Sequence, residues 1–287
     1  MPVKIIDGLL AKNILKQENP SSIVDSFHQN TRPLEIAIVN LMPLKEVTEL
    51  QLLRLLGNSP LQINITFVYM ASHISKNVSA DYLSAFYCTF PKISHQLFDG
   101  LIITGAPIEN LPFEEVTYWE ELIQLMDWSL TNVRSVMHIC WGAQAALYHH
   151  YGIPKYPLVN KIFGVYPHTK SAASPILHGF DDVFSVPQSR HTEVRRGDIE
   201  RVKTLRILAE STESGIHMLE DDRKHVFVTG HSEYDPLTLM NEYERDLAKG
   251  SNIEPPKYYL PLDVNWRAHA HLFFGNWIRY YVADMQS

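Results

Sequence analysis

Short apolar runs alternate with amphipathic stretches along the first half of the chain, and that rhythm predicts its elements. Leu34–Leu41 is β-branched and almost wholly apolar, as a strand covered on both faces of a sheet must be. After the loop Met42–Lys45, the spacing of Val47, Leu50, Leu53 and Leu56 predicts a helix over Glu46–Leu56, ended by Gly57 and Pro60. Ile63–Tyr69 alternates and reads as the second strand, Ala80–Tyr87 as a short helix, and Phe98–Gly105 as the third strand. Val116, Trp119, Leu122, Ile123 and Met126 then share one helix face, with Glu120, Glu121, Gln124 and Asp127 opposite. Ser135–Ile139 is the fourth strand and runs through Cys140 into a helix of small residues. Four strand–helix alternations predict an α/β fold, a mostly parallel sheet with helices on both faces.

The second half changes character. Between about Val159 and Thr229 the pattern predicts short β segments separated by turn residues, with Ile216–Leu219 and Val226–Thr229 paired as a hairpin. Asp235 as N-cap and Pro236 at the first helical position predict a helix running to about Ala248. Asn265–Val282 is expected to be a final helix with Trp266, Phe273, Trp277 and Tyr281 available to one face. Residues 1–33 are irregular apart from a short helix near Ala11–Glu18. They are expected to form an N-terminal arm to a single α/β domain, 34–287.

Composition narrows the classes. With 287 residues, 45% hydrophobic, the chain is long enough to bury a large core. The net charge of −7 argues against nucleic acid or an anionic membrane as partner, and no apolar run approaches a membrane span. Two cysteines make no disulfide framework, so a cytoplasmic location is expected.

Ligands of such sheets sit beyond the C-terminal strand ends, which singles out the loops after Leu41, after Thr104 and at Cys140. A cysteine at a strand-to-helix turn is presented by the strand, with the helix N-terminus favouring negative charge beside it. A buried inert thiol fits that window equally well. His231, at another strand end, is the best candidate base, and Glu233 two residues on is placed to orient it. The alternative is that both simply cap the following helix. On that helix Thr238, Asn241 and Arg245 share a face. Arg245 suits a substrate carboxylate, or else an ion pair with Glu242 or Glu244. Lys161 and Ser189-Arg190-His191 fall between β segments, and the residues alone assign them no role. No carboxylate or further His stands at ligand spacing from His149-His150, so no metal is expected. Cys88 reads as packed core.

At Cys140-Trp141-Gly142-Ala143-Gln144-Ala145-Ala146-Leu147, with Gly230-His231-Ser232-Glu233-Tyr234-Asp235, the chain resembles the homoserine O-acyltransferases of the homoserine transsuccinylase type. Asn40–Pro43, Leu53–Gln62, Asp99–Pro107, Tyr151–Pro154 and Trp266-Arg267 extend the resemblance over nearly the whole chain. It implies a class I glutamine-amidotransferase-like (flavodoxin-like) fold used for acyl transfer. His138 stands where amidotransferases usually carry glycine, which speaks against glutamine hydrolysis, the more distant alternative. The resemblance implies Cys140 as acyl-thioester nucleophile, His231 as base and Glu233 as its partner, and Lys161, Ser189 and Arg245 as amino-acid ligands. The backbone N–H of Trp141 is expected to hold the oxyanion. Glu109 matches the position that is Glu in acetyl-CoA users and Gly in succinyl-CoA users. A succinyl carboxylate near Glu109 would be repelled by roughly several kcal/mol at 4 Å.

The implied substrates are therefore acetyl-CoA and L-homoserine, giving O-acetyl-L-homoserine for methionine synthesis, with no cofactor. A homodimer is expected. Three positions depart from the pattern. Leu44 replaces the first of two basic residues, leaving Lys45. Glu46 replaces an apolar residue, and Ser232 replaces proline. The first keeps L-serine open as an alternative acceptor.

Overall fold

The structure, a computed structural model, describes residues 3–25, 32–75, 77–261 and 263–284. Its strands are β1 (Val3–Lys4), β2 (Ile23–Val24), β3 (Leu34–Val39), β4 (Ile63–Tyr69), β5 (Tyr87–Thr89), β6 (Phe98–Ile103), β7 (Val133–Ile139), β8 (Tyr156–Lys170), β9 (Val183–Glu193), β10 (Leu205–Ser211), β11 (Gly215–Asp221) and β12 (Val226–Val228). They form one sheet in the order β2-β1-β4-β3-β6-β7-β12-β11-β10-β8-β9, with β5 beside β4. Every pairing from β2 to β12 is parallel. Every pairing from β12 to β9 is antiparallel. This is the α/β fold expected from the alternating pattern.

The apolar strands are covered on both faces, as their near-continuous hydrophobicity requires. Ile36, Ile38, Met137 and Ile139 pack in one core with Leu52 and Leu53 of helix Lys45–Leu56 and Phe273 and Phe274 of helix Arg267–Asn276. Ala37, Val39, Val136 and Phe227 belong to the other core, with Leu122 and Met126 of helix Trp119–Asn132 and Ala146 and Leu147 of helix Trp141–Tyr151. Of the N-terminal segment, residues 26–31 lie outside the described residues. Val3 pairs with both Ile23 and Ile63, so the segment's two short strands extend the parallel edge. Among the described residues no helix is long and apolar enough to cross a membrane.

Several elements differ from expectation. Val47 is exposed, and the buried face of its helix instead carries Lys45, Glu49, Leu52 and Leu56. Lys45 Nζ donates to the Asn40 carbonyl and Glu49 accepts from the hydroxyls of Tyr82 and Tyr87, partners that hydrophobic periodicity cannot reveal. Tyr87, assigned to a helix, is the first residue of β5. The second half holds the expected short strands β10, β11 and β12, the last two paired as a hairpin, but they are preceded by two long strands, β8 and β9. A register shift between Pro157 and Ile162 breaks their pattern. The helix after His231 starts at Thr238, because Asp235 turns its carboxylate to Arg54 and Arg267 instead of capping. The last helix loosens into a π-helical stretch over Trp277–Val282, and its aromatic face is buried as anticipated. Helices 119–132 and 141–151 share one face of the sheet, and Asp127 of the first reaches Nε2 of His149 at 2.6 Å. A carboxylate therefore does stand beside His149-His150, brought from a different helix.

Candidate active site

Cys140 occupies the turn between β7 and helix 141–151 with φ 51° and ψ −115°. A non-glycine residue at positive φ is strained by roughly 1–3 kcal/mol and persists only where its surroundings fix it. Here its N–H donates to Val228 O of β12 at 2.7 Å, and its carbonyl accepts from Ala143 and Gln144 at 3.0 and 3.1 Å. The small residues that follow let the helix press against the sheet. A Cβ on Gly142 would lie 2.6 Å from Thr104 O and 2.9 Å from Ile103 O, and one on Gly105 would lie 3.2 Å from Cys140 Cβ. Trp141 begins the helix, where N–H groups have no preceding helical carbonyl to bond.

Next to β7 runs β12, parallel, with Val228 opposite Ile139. The chain segments leaving the two strands therefore emerge side by side, and this brings His231 to Cys140. His231 Nδ1 lies 2.7 Å from Glu233 Oε1, and both side chains are buried. With Nδ1–H donated to the carboxylate, Nε2 is the nitrogen left to exchange a proton with sulfur. Burial works against the charged imidazole. The Glu233 carboxylate, the Cys140 sulfur and hydrogen bonds to both outweigh it, so His231 titrates well above its ordinary value. Its backbone N–H is tied to Pro187 O at 2.8 Å. Gly230 is required there, since a Cβ would meet Gln188 Nε2 at 2.6 Å and Pro187 O at 2.9 Å.

Glu109 comes from the loop after β6, and its Oε1 stands 3.9 Å from Cys140 Sγ. Lys155 holds this loop by donating to the carbonyls of Glu109 (2.5 Å) and Leu111 (2.6 Å). Burial pushes the Glu109 carboxyl up to about 7, against the pull of His231 and Lys161 and with a push from Glu242. The loop after β3 is stitched to the same end of the sheet, Leu41 N–H donating to Thr104 Oγ1 at 2.8 Å. Lys45 does not face the site. Its buried Nζ donates to Asn40 O at 2.6 Å, and burial pushes it down to about 8.

Ser189 and Lys161 approach one carboxylate, Glu242, which the sequence offers only as an ion-pair partner. Glu242 accepts from Ser189 Oγ (2.6 Å) and Tyr234 Oη (2.7 Å), and Lys161 Nζ lies 4.0 Å away. Tyr234 in turn stacks on the His231 ring at 4.3 Å. Lys161 pairs with Asp246 at 3.1 Å and lies over the Phe163 ring at 4.0 Å. Arg245 binds Asp246 at 2.8 Å, a partner neither alternative had named, and its side chain remains 43% exposed. Lys161 and Ser189 lie within β8 and β9, not between segments. The i, i+3 spacing of Glu242 and Arg245 was a visible signal for Glu242, but nothing in the sequence placed Ser189 opposite it. His138 is fully buried, stacks on Phe227 at 5.0 Å and is held neutral by burial.

The model of the homoserine O-succinyltransferase family matches residues 2–287. The chain belongs to this family. A homoserine O-acetyltransferase of Brevibacillus brevis is 55% identical, covering 98% of this chain and 96% of its own. One of Petrotoga mobilis is 56% identical, covering 98% and 95%. Among solved structures, a glutamine amidotransferase of Thermotoga maritima superposes with a TM-score of 0.60 at 11% identity, covering 88% of this chain and 99% of its own. One of Methylobacillus flagellatus gives 0.54 at 12%, covering 87% and 95%. At such identities the likeness is one of fold, and it supports the class I amidotransferase-like architecture expected for the family.

Proposed function

We propose that this family member transfers the acetyl group of acetyl-CoA to the γ-hydroxyl of L-homoserine through a thioester on Cys140. The observation that carries the donor assignment is Glu109, whose carboxyl stands 3.9 Å from the nucleophilic sulfur. It occupies the space into which a longer, anionic acyl chain would extend.

In the first half-reaction the Cys140 thiolate attacks the thioester carbonyl, and the oxyanion is met by the Trp141 N–H. The carbon–sulfur bond to CoA breaks, and CoA leaves as a thiol with the proton held by His231. In the second, His231 takes the hydroxyl proton as the homoserine oxygen attacks the acetyl carbon. The acetyl–Sγ bond then breaks and the thiolate is restored. Glu233 keeps Nδ1–H engaged throughout, so Nε2 handles both protons. Homoserine presents a carboxylate and an ammonium. Lys161 and Arg245 supply cations for the first, Glu242 an anion for the second, and Ser189 a hydroxyl beside them.

Thiolate and imidazole provide all the chemistry, so the reaction needs no cofactor. The product, O-acetyl-L-homoserine, serves methionine synthesis. Free thiols at Cys88 and Cys140 suit a reducing cytoplasm. The chain acts as a single catalytic domain and is expected to pair as a homodimer.

The test is a matrix of acetyl-CoA and succinyl-CoA against L-homoserine and L-serine, with mass spectrometry of the enzyme after each donor alone. Acetyl label on Cys140, absent from Cys140→Ala, and turnover with homoserine are expected. Labelling of the variant would overturn the nucleophile, preference for succinyl-CoA the donor, and preference for serine the acceptor.

A further inference from the structure

We infer that Asp127, His149 and His150 form a binding site for a divalent transition-metal ion that clamps the two helices on one face of the sheet. One ligand atom from each residue lies within 4.8 Å of the others, and His149 Nε2 and Asp127 Oδ1 are already 2.6 Å apart. A tetrahedral ion with bonds of about 2.0–2.1 Å separates its ligand atoms by roughly 3.3–3.4 Å, so small side-chain rotations close the site. Two imidazoles and a carboxylate suit Zn²⁺, Ni²⁺ or Co²⁺ and do not suit Mg²⁺ or Ca²⁺, which favour oxygen ligands. Asp127 is exposed and both histidines are half-buried, which leaves an approach for the ion and a position for water.

The scaffold is rigid and its polarity is right. His149 and His150 lie in the last turn of helix 141–151, closed by Gly152 in the left-handed region with its N–H bonded to Tyr148 O at 2.9 Å. Carbonyl groups at a helix C-terminus favour a cation beside His149 and His150. The two imidazole rings are 4.8 Å apart. His150 Nε2 is buried and makes no hydrogen bond among the described residues.

The site lies some nine residues along the helix from Cys140, roughly 14 Å at 1.5 Å per residue. No step of acyl transfer reaches it, and its effect is on stability.

The test uses full-length Cys140→Ser protein, which removes the one thiol in the catalytic pocket that would itself capture a soft ion. Calorimetric titration with zinc chloride is expected to show one equivalent bound and a raised melting temperature. Cobalt should give the visible absorption of a tetrahedral or five-coordinate centre, and magnesium should give nothing. Asp127→Asn and His149→Gln, each also made with Cys140 intact to show normal folding and turnover, should lose the equivalent and the spectrum. Absence of saturable binding, or its survival when Asp127→Asn and His149→Gln are combined, would overturn the inference.

Discussion

On the proposed reading Glu109 discriminates between donors by charge as well as by size, and the charge part has a calculable limit. A succinyl group on Cys140 would carry its distal carboxylate to within about 4–5 Å of Glu109, a repulsion of roughly 3–4 kcal/mol at an effective dielectric near 20. The carboxyl, however, titrates at about 7 and can take up a proton instead of enduring that repulsion. Protonating it costs about 1.4 kcal/mol for each pH unit above its pKa. At pH 8 the electrostatic penalty is therefore capped at about 1.4 kcal/mol, tenfold in kcat/KM, and at pH 6 it is close to zero. The ratio of kcat/KM for acetyl-CoA to that for succinyl-CoA should thus rise about tenfold between pH 6 and pH 8. Effects of His231 ionisation are common to both donors and cancel in the ratio. Glu109→Gln, neutral and nearly isosteric, should make the ratio flat while keeping its steric part. Glu109→Gly should lower it at every pH. Competition assays with both donors at several pH values measure it. A flat ratio in the native enzyme, or an undiminished slope in Glu109→Gln, would refute the electrostatic account.

Glu109 has a pKa raised in the folded state, so its contribution is fully present below about pH 4.5 and lost as pH rises through about 7. Glu109→Gln should therefore gain on the native protein between pH 5 and pH 8, by up to about 3 kcal/mol, as read by urea denaturation at the two values. Gly142→Ala places a methyl against the Thr104 and Ile103 carbonyls and should destabilise the fold by about 2–4 kcal/mol while abolishing acetylation of Cys140; denaturation within 0.5 kcal/mol of native would contradict the close contact. Glu242→Gln should raise KM for homoserine about 10–100-fold, the loss of a charged hydrogen bond worth roughly 1.5–3 kcal/mol. Formation of the acetyl-enzyme from acetyl-CoA alone, followed by mass spectrometry, should be unaffected by that change.

What could be read from the sequence was what local pattern controls. The parallel strands are buried on both faces and announce themselves as apolar runs, so β3, β4, β6 and β7 were visible together with the turn at Cys140. The helix face bearing Lys45 and Glu49 was not, because Glu49 is stabilised by the hydroxyls of Tyr82 and Tyr87, which arrive from two other elements. Asp235 and Pro236 look like a helix start, yet Asp235 is drawn to Arg54, distant in sequence. Cys140, His231 and Glu233 could be proposed because each stands at or just after a strand end. Glu242 could not be singled out, since its importance lies in facing Ser189 from a different element. Asp127 illustrates the same limit: ligand spacing within one stretch was empty, and helix packing filled it.

The hydrogen bond from the Cys140 N–H to Val228 O places the proposed nucleophile one step beyond the ladder that also delivers His231. Separating the pair means opening central strands, so the Cys140 amide should exchange with solvent only through global unfolding. Glu109 instead rides on a loop held at its carbonyls by the single ammonium of Lys155, and such a loop can open while the sheet stays closed. Under mild heat or denaturant, fidelity toward the donor should therefore melt before turnover does, leaving an enzyme that still works but no longer chooses.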